Sequence, residues 1–215
     1  MTSIDRPLRR DAQRNRDLLV AAARRVFSAR GLDVPLEDVA REAGVSIGTL
    51  YNRFPTRGTL VDAALAEKVA AAVELAERAL AMDDAWEGFA WFLGRTCELQ
   101  ASDRGYNELC ARQFDDAVEI EALKARGFGL VRQVIEQAQR AGALRKDFHD
   151  GDFAFVLWSI TRTIEATAPH APDAWRRHLA FMLDGFRASA AHPLPYRALG
   201  PEEVLRAMRH LDGDG

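Results

Sequence analysis

Residues 43–57 read AGVSIGTLYNRFPTR, and this stretch carries the clearest structural signal in the chain. Gly44 falls where a tight turn needs a backbone conformation that is costly for other residues. Ser46 can cap the helix that follows, because a serine hydroxyl accepts a hydrogen bond from an unpaired helical amide. Pro55 ends that helix near Phe54, since the residue before a proline is disfavoured in helical geometry. The stretch therefore predicts a glycine turn followed by one short helix.

Two further helices are predicted on the N-terminal side of this stretch. Apolar residues recur at intervals of three and four across residues 14–30, which is the spacing of one buried helical face, and Gly31 provides a stop. Pro35 starts a second helix, and Glu37 and Asp38 supply negative charge where the first turn favours it. The second helix, the glycine turn and the third helix together satisfy the requirements of a helix-turn-helix, whose last helix enters the major groove of DNA.

The chain after this unit is also predicted to be helical. Thr56 can cap a long fourth helix, and apolar residues at helical spacing continue to about residue 188. The sequence shows no alternating strand pattern and no internal repeat. We therefore predict an all-α fold with a three-helix DNA-binding domain at residues 14–60, joined by a long helix to a helical domain at residues 61–192. Residues 193–215 are predicted to form a C-terminal tail with one short helix, carried by Leu205, Met208 and Leu211.

Charge is distributed unevenly along a chain of otherwise ordinary composition. The 215 residues are 48% hydrophobic and 28% charged, which is the balance of a globular protein rather than a disordered one. Residues 1–60 contain eleven arginines and seven acidic residues, so their net charge is +4, against −7 for the rest of the chain. A basic end on an acidic body is expected when that end meets a polyanion such as DNA. Charge alone fits a solvated arginine-rich surface equally well.

Several classes of protein are disfavoured by features that the sequence lacks. No apolar run approaches the roughly 18 residues of a membrane helix, and the polar N-terminus has no apolar core of a secretory signal. Cys97 and Cys110 are the only cysteines, too few for a disulfide framework or a structural zinc site. We expect a cytoplasmic protein with no membrane partner.

We also expect no catalytic residue, metal or cofactor. The sequence contains no nucleophile paired with a base, no phosphate-cradling loop and no metal-ligand spacing. His149, Asp150 and Asp152 could suggest a metal site, but the two aspartates are better interpreted as caps of the following helix. Cys97 and Cys110 could form a redox sensor, but thiols in apolar surroundings are usually inert.

The exposed positions of the third helix predict contacts with DNA. The hydroxyls of Thr49 and Tyr51 suit phosphate oxygens, whereas Asn52 could pair with a base edge and Ile47 could contact a thymine methyl. Gly48 lets the backbone approach closely. The alternatives are that Tyr51 is a half-buried packing residue and that Thr49 and Asn52 are plain helix surface. The candidate DNA-binding residues are Ser46, Ile47, Gly48, Thr49, Tyr51, Asn52, Arg53 and Arg57.

The segment GVSIGTLYNRFPTRGTLVDAAL resembles the signature of TetR-family transcriptional regulators, in which a glycine-valine-serine turn leads into threonine-leucine-tyrosine and then phenylalanine-proline. The preceding RNRDLLVAAARRVFSARG and LEDVAREAG look like the first and second helices of that family. The resemblance is close over residues 14–65 and extends beyond them only in the number, length and order of helices. Arg53 and Arg57 stand where many members carry histidine and lysine, and Gly58 where glutamate is frequent. These departures preserve positive charge for phosphate binding but leave the base preference open.

The resemblance implies an all-α homodimer that binds a near-palindromic operator in double-stranded DNA and usually represses transcription. It also implies that residues 61–192 form a domain for dimerisation and for binding a small effector, which loosens DNA binding. A two-fold dimer is physically sensible, because it presents two recognition helices about 34 Å apart on one face of the duplex. The alternatives are a small helical enzyme whose first three helices only pack, and a DNA-binding regulator controlled by a protein partner.

Aromatic residues of the helical domain are the candidates for an effector pocket and for a dimer interface. Aromatic walls with a few polar groups suit a small apolar ligand. The candidate pocket residues are Trp91, Phe92, Cys97, Phe114, Phe128, Trp158, Arg162 and Glu165. The candidates for the interface, on two helices that pair across the dimer in the family, are Phe155, Trp158, Trp175, Phe181, Met182 and Phe186. Both sets could instead be ordinary core, and Arg162 and Glu165 could form a surface ion pair.

Overall fold

The computed structural model describes residues 5–200, 202–204 and 206–207, with side chains from residue 10 onward. Within these ranges the chain forms nine α-helices of seven residues or more, and the predicted all-α fold is confirmed. The one extended pairing there is an isolated bridge between Leu144 and Arg187. The helices are α1 (Asp5–Arg30), α2 (Leu36–Ala43), α3 (Ile47–Arg53), α4 (Arg57–Leu80), α5 (Ala85–Ser102), α6 (Arg104–Cys110), α7 (Val118–Arg140), α8 (Asp150–Thr167) and α9 (Ala174–Phe186). Leu205, Met208 and Leu211, which carry the predicted tail helix, lie outside the described residues.

The turn between α2 and α3 is built by its glycine and its serine. Gly44 has a φ of 69°, in the left-handed region that favours glycine, and its amide donates to the Arg41 carbonyl at 3.1 Å. Ser46 caps α3, because its Oγ accepts a hydrogen bond from the Thr49 amide at 3.2 Å. Leu50 is fully buried beneath α3. The orientation of this short helix is therefore set by both its cap and its packing.

The first of two large cores lies beneath the helix-turn-helix and continues past residue 60. It contains Phe27 of α1, Leu50 of α3 and Leu65 of α4, all essentially inaccessible to solvent. Tyr106 of α6 belongs to the same core. The three N-terminal helices therefore share one continuous apolar core with α4 and α6 instead of packing around a core of their own.

The second core lies inside the helical domain, between α5, α7, α8 and α9. Phe89 and Leu93 of α5 are fully buried, and Cys97 extends the same face by one more turn. Phe148 meets Phe89 edge-on, with ring centroids 5.6 Å apart. Trp175 of α9 is 2% exposed, so α9 is held to the rest of the chain by its own buried aromatic residue.

Asp62 connects α4 to the start of α7. Its carboxylate accepts hydrogen bonds from the backbone amides of Glu119 at 3.2 Å and Ile120 at 2.8 Å. Amides in the first turn of a helix have no partner within the helix, and negative charge is favourable there. Asp62 therefore supplies the cap that α7 lacks in its own sequence, since Ala117 precedes that helix without a side-chain cap.

Candidate DNA-binding surface and ligand pocket

α3 presents its polar residues to solvent on the side opposite Leu50. Tyr51 is 47% exposed, and Asn52 and Arg53 are exposed as well. Their side chains make no hydrogen bond or ion pair with the part of the chain that the structure describes. About half of the Tyr51 surface is buried, so its interpretation as a half-buried packing residue stays open beside the contact with DNA. The three side chains are accessible to a nucleic acid, and their contact with DNA stays a prediction.

The first turn of α3 is more strongly tied to the protein. Ser46 Oγ lies 2.9 Å from Thr49 Oγ1, in addition to accepting the amide of that residue. If Ser46 donates in this hydroxyl pair, the Thr49 proton stays available for a phosphate oxygen. Ile47 packs partly against the first core, whereas Gly48 is exposed. Ser46 is therefore a helix cap first, and its own contact with DNA stays a prediction.

Arg57 has a structural role that was not predicted from the sequence. Its Nη1 donates hydrogen bonds to the carbonyl oxygens of Leu32 and Val34, the second at 2.8 Å. These bonds fix the start of α4 to the loop between α1 and α2. A phosphate contact by Arg57 through its remaining nitrogens stays a prediction, but replacing Arg57 is expected to disturb the helix-turn-helix as well.

The arginines of the first sixty residues are not all available to a polyanion. Arg30 and Arg41 both bind the carboxylate of Asp38, at 2.6 and 2.7 Å. The hydrogen bond from Arg30 lowers the pKa of the Asp38 carboxyl below its ordinary value. The number of arginines therefore overstates the free positive charge, and Arg53, exposed and unpaired within the described chain, is the better candidate for phosphate.

An apolar cavity of about 130 Å³ lies in the helical domain, between α4, α5, α6, α7 and α8. Four residues of its wall are aromatic, namely Phe92, Tyr106, Phe128 and Phe153. Phe92 and Phe153 stack, with ring centroids 5.7 Å apart. Two of the predicted pocket residues, Phe92 and Phe128, thus lie in the wall. Its aliphatic part includes Val69, Val73, Leu109, Leu123, Val131 and Leu157.

Three of the other predicted pocket residues lie outside this cavity, in the packing around it. Trp91 lies on a different face of α5 from Phe92. The guanidinium carbon of Arg78 lies 5.0 Å from the centroid of the Trp91 ring. Cys97 is buried in the second core, and Phe114, in the loop before α7, packs against the first core. One step along a helix turns a side chain by about 100°, so the neighbour of a wall residue faces elsewhere.

Trp158, Arg162 and Glu165 also lie outside the cavity and line a polar cleft of about 440 Å³. Asp33 of the loop between α1 and α2 lies across this cleft from α8. Arg162 Nη1 is 2.7 Å from Glu165 Oε2, which is the surface ion pair of the alternative interpretation. Because the Arg162 side chain is 78% exposed, this pair contributes little to stability. The three residues belong to the outer face of α8.

Three polar residues of the cavity wall, Thr96, Cys110 and Lys124, were not predicted. Thr96 lies one turn after Phe92 on α5, and Cys110 lies one turn after Tyr106 on α6. Residues four apart share a face of a helix. Helical periodicity could therefore have identified Thr96 and Cys110 once the aromatic residues of the same faces were assigned to the wall.

Both thiols are expected to be unreactive in the folded protein. Burial raises the pKa of Cys97 to about 12 and that of Cys110 to about 11. Because the thiolate is the reactive form, iodoacetamide at about pH 8 should leave both residues unmodified in the native protein and alkylate both in urea. Mass spectrometry of the two samples measures this difference. Rapid labelling of either thiol in the native protein would instead favour the redox-sensor interpretation.

The polar cluster before α8 is engaged in contacts within the protein. The Asp152 carboxylate accepts a hydrogen bond from the His149 amide at 2.8 Å, and Asp150 pairs with Arg132 at 2.6 Å. No group of three or more metal-ligating side chains occurs within the described ranges. In the same ranges no helix has the length and apolar character needed to cross a membrane.

Two family models match the chain, one over each predicted domain. The model described as bacterial regulatory proteins, tetR family, matches residues 19–64. The model described as transcriptional regulator SbtR-like, C-terminal domain, matches residues 84–188. A search of curated proteins gives no match.

Solved structures of the same fold extend over most of the chain. The TetR transcription regulatory protein from Mycobacterium vanbaalenii is 31% identical, with 84% of this chain and 99% of that chain covered and a TM-score of 0.50. A TetR transcriptional regulator from Streptomyces coelicolor is also 31% identical, with coverages of 80% and 98% and a TM-score of 0.53. FadR from Bacillus subtilis, in complex with stearoyl-CoA, is 16% identical, with coverages of 81% and 98% and a TM-score of 0.60, so it shows the fold alone. From the helix-turn-helix, these matches and the helical body, the chain belongs to the TetR family of DNA-binding transcriptional regulators.

Proposed function

We propose that the protein is a homodimeric repressor that binds a near-palindromic operator through α3 and is released by a small effector in the apolar cavity. The observation that carries this proposal is the position of α6. Tyr106 and Leu109 of α6 line the cavity and also belong to the first core, while Gly105 and Glu108 of the same helix contact α1 and the loop after it. An event in the cavity can therefore reach the helix-turn-helix through one short helix.

The contacts of α6 with the DNA-binding domain are close and specific. Leu109 lines the cavity, while its neighbour Glu108 accepts a hydrogen bond from the Leu32 amide at 2.7 Å. A Cβ atom on Gly105 would lie 2.9 Å from the carbonyl oxygen of Phe27, so the backbones of α6 and α1 are in close contact. A ligand that displaces α6 must therefore displace α1 as well or break these contacts, which supports coupling between the two sites.

α4 provides a second connection between the cavity and the DNA-binding domain. Val69 and Val73, in the middle of this helix, line the cavity. Arg57, at its first position, is bonded to the loop between α1 and α2. Because a helix moves as a nearly rigid rod, a shift at Val73 would be carried to that loop.

Exposed aromatic residues of α8 and α9 support the homodimer. Phe155 is 38% exposed and Phe181 is 62% exposed. Trp175, by contrast, is buried in the protomer, and Met182 and Phe186 are partly buried against the second core. A second copy that covers the two exposed rings would bury apolar surface in a two-fold interface.

Footprinting and light scattering test this proposal. The protein should protect a fragment near its own or a neighbouring gene as a dimer, with two half-sites about one helical turn apart. Protein that protects no fragment, or that binds as a monomer, would contradict the proposal. A footprint that responds to no small molecule would favour control by a protein partner.

FadR with stearoyl-CoA supports ligand binding by a helical domain of this fold, although the present cavity is much smaller than that ligand.

Asn52→Ala should relax the base preference at one position of each half-site. A side-chain contact to a base edge discriminates against the wrong base by about 1–3 kcal/mol, and affinity for unrelated DNA does not depend on it. Fluorescence anisotropy with operator and scrambled duplexes measures both affinities. Gln133→Ala, at an exposed position of α7, is the control and should change neither. An equal loss on both duplexes would show that Asn52 contacts phosphate or supports the fold.

A further inference from the structure

One hydroxyl in the wall of the apolar cavity has no partner in the described part of the chain. Thr96 is 5% exposed, lines the cavity, and its Oγ1 makes no hydrogen bond within the described chain. A helical threonine can pair its hydroxyl with the carbonyl one turn earlier. In α8, Thr163 donates in this way to Ser159 at 2.8 Å and Thr167 donates to Thr163 at 2.7 Å. Thr96 differs from both, so its hydroxyl keeps a hydrogen-bonding capacity that nothing in the described chain uses.

The size and lining of the cavity suit a single aromatic ring. Its volume of about 130 Å³ is close to the roughly 150 Å³ of an apolar protein cavity that binds benzene. The stacked rings of Phe92 and Phe153 lie with their planes 7° apart, and Tyr106 and Phe128 supply further aromatic walls. Aromatic rings pack well against one another in offset-stacked or edge-to-face arrangements. The volume and the aromatic walls therefore suit a single ring.

The cavity offers no unpaired charge in its described wall. Lys124 is the one charged residue there, and its Nζ donates to the Arg112 carbonyl at 2.8 Å and to Glu121 Oε1 at 3.1 Å. Burial raises the pKa of Tyr106 and of Cys110, so both groups stay neutral. A charged ligand would lose its hydration without gaining a free counter-charge. The lining therefore favours an uncharged molecule.

We propose that the cavity binds an uncharged molecule made of one aromatic ring with a hydroxyl group, and that this hydroxyl forms a hydrogen bond with Thr96 Oγ1. The inference rests on the proposed function in one respect, since it takes the cavity to be the effector site. The ring lies among the aromatic and aliphatic side chains of the wall. A ring without the hydroxyl leaves Thr96 unpaired, so the site distinguishes the two ligands.

Calorimetric titration of the full chain with phenol and toluene tests this hydrogen bond. Thr96→Val removes the hydroxyl at nearly constant shape, and Thr163→Val is the matched control, because the Thr163 hydroxyl is bonded to α8 itself. The ratio of phenol affinity to toluene affinity should fall about tenfold in Thr96→Val. In Thr163→Val it should stay within about twofold of the wild-type ratio.

The melting temperature of the unliganded variants gives a second measurement. Thr96→Val should melt about 2–4 °C higher than the wild type, because a methyl group replaces a buried hydroxyl without a partner. Thr163→Val should show no such rise, since it loses a hydrogen bond. A fall in the melting temperature of Thr96→Val would mean that its hydroxyl is paired in the protein, and would overturn the inference.

Further results separate the inference from the proposed function. Absence of saturable phenol binding, tighter binding of benzoate than of phenol, or an unchanged affinity ratio in Thr96→Val would each overturn the inference. DNA binding by the same proteins is measured without ligand. Protein that binds operator DNA but not phenol overturns the inference alone. Protein that binds phenol through Thr96 but binds no DNA supports the inference and contradicts the proposed function.

Discussion

Binding of the proposed dimer to its operator is expected to weaken about a thousandfold when the salt concentration rises from about 50 mM to about 200 mM. Three guanidinium groups lie in or beside α3 of each protomer. Arg16 lies over the ring of Phe54 at the end of α3, with its guanidinium carbon 5.6 Å from the centroid. Arg53 is in the last turn, and Arg57 begins α4. Two protomers would neutralise about six phosphates, and the released counterions give a slope of about −5 in a plot of log affinity against log salt.

Two variants test whether the salt dependence comes from the charge of the arginines. Arg53→Gln removes one cation from each protomer, so the slope should become shallower by about two. Tyr51→Phe removes a hydroxyl and no charge, so it should weaken operator and unrelated DNA alike and keep the slope. Anisotropy titrations at four or more salt concentrations measure both quantities. A flat profile for the wild type, or an unchanged slope for Arg53→Gln, would contradict the role of the arginines.

Gly105→Ala is expected to lower the free energy of unfolding by about 1–3 kcal/mol, although alanine is the better helix former. The added Cβ would lie 2.9 Å from both the Cβ and the carbonyl oxygen of Phe27. Backbone atoms of α1 cannot swing aside as the end of a flexible side chain can, so α6 must move. The same movement should lengthen the hydrogen bond between Glu108 and Leu32. Urea unfolding monitored by circular dichroism measures the change.

Gly94→Ala is the control for this substitution. Gly94 lies within α5, and a Cβ added there meets nothing within 4 Å. Here only helix propensity acts, so the variant should be more stable than the wild type by about 0.5–1 kcal/mol. If the free energy of unfolding falls in Gly105→Ala and rises in Gly94→Ala, the close contact between α1 and α6 is established. Stabilisation by Gly105→Ala would show that the two helices are farther apart in solution.

The helix-turn-helix could be predicted because its signals are local. The left-handed backbone at Gly44, the cap at Ser46 and the stop at Pro55 follow from the preferences of single residues and their immediate neighbours. The predicted end of this helix at Phe54 agrees with α3, which runs to Arg53. The hydrogen-bond partners of Arg57 could not be predicted in this way, since they lie 23 and 25 positions away in the sequence.

The wall of the cavity could be predicted only in part, because it depends on how five helices meet. Trp91 and Phe92 are adjacent aromatic residues, and nothing in their types distinguishes the one that faces the gap. Leu157 and Trp158 pose the same difficulty on α8, where the first lines the cavity and the second lines the polar cleft. A cavity is the space that packing leaves unfilled, so it has no sequence pattern of its own.

The continuity of the first core across residue 60 has a consequence for protein engineering. A chimera could join the N-terminal DNA-binding domain of another regulator to the helical domain of this protein at residue 60. That junction would divide the first core, whose side chains pack together across it. The grafted domain would need side chains that pack against Tyr106 and Leu109, or the graft would have to include the α6 of the other regulator. If α3 reads the operator as proposed, replacing its exposed residues should alter operator specificity more readily than exchanging whole domains.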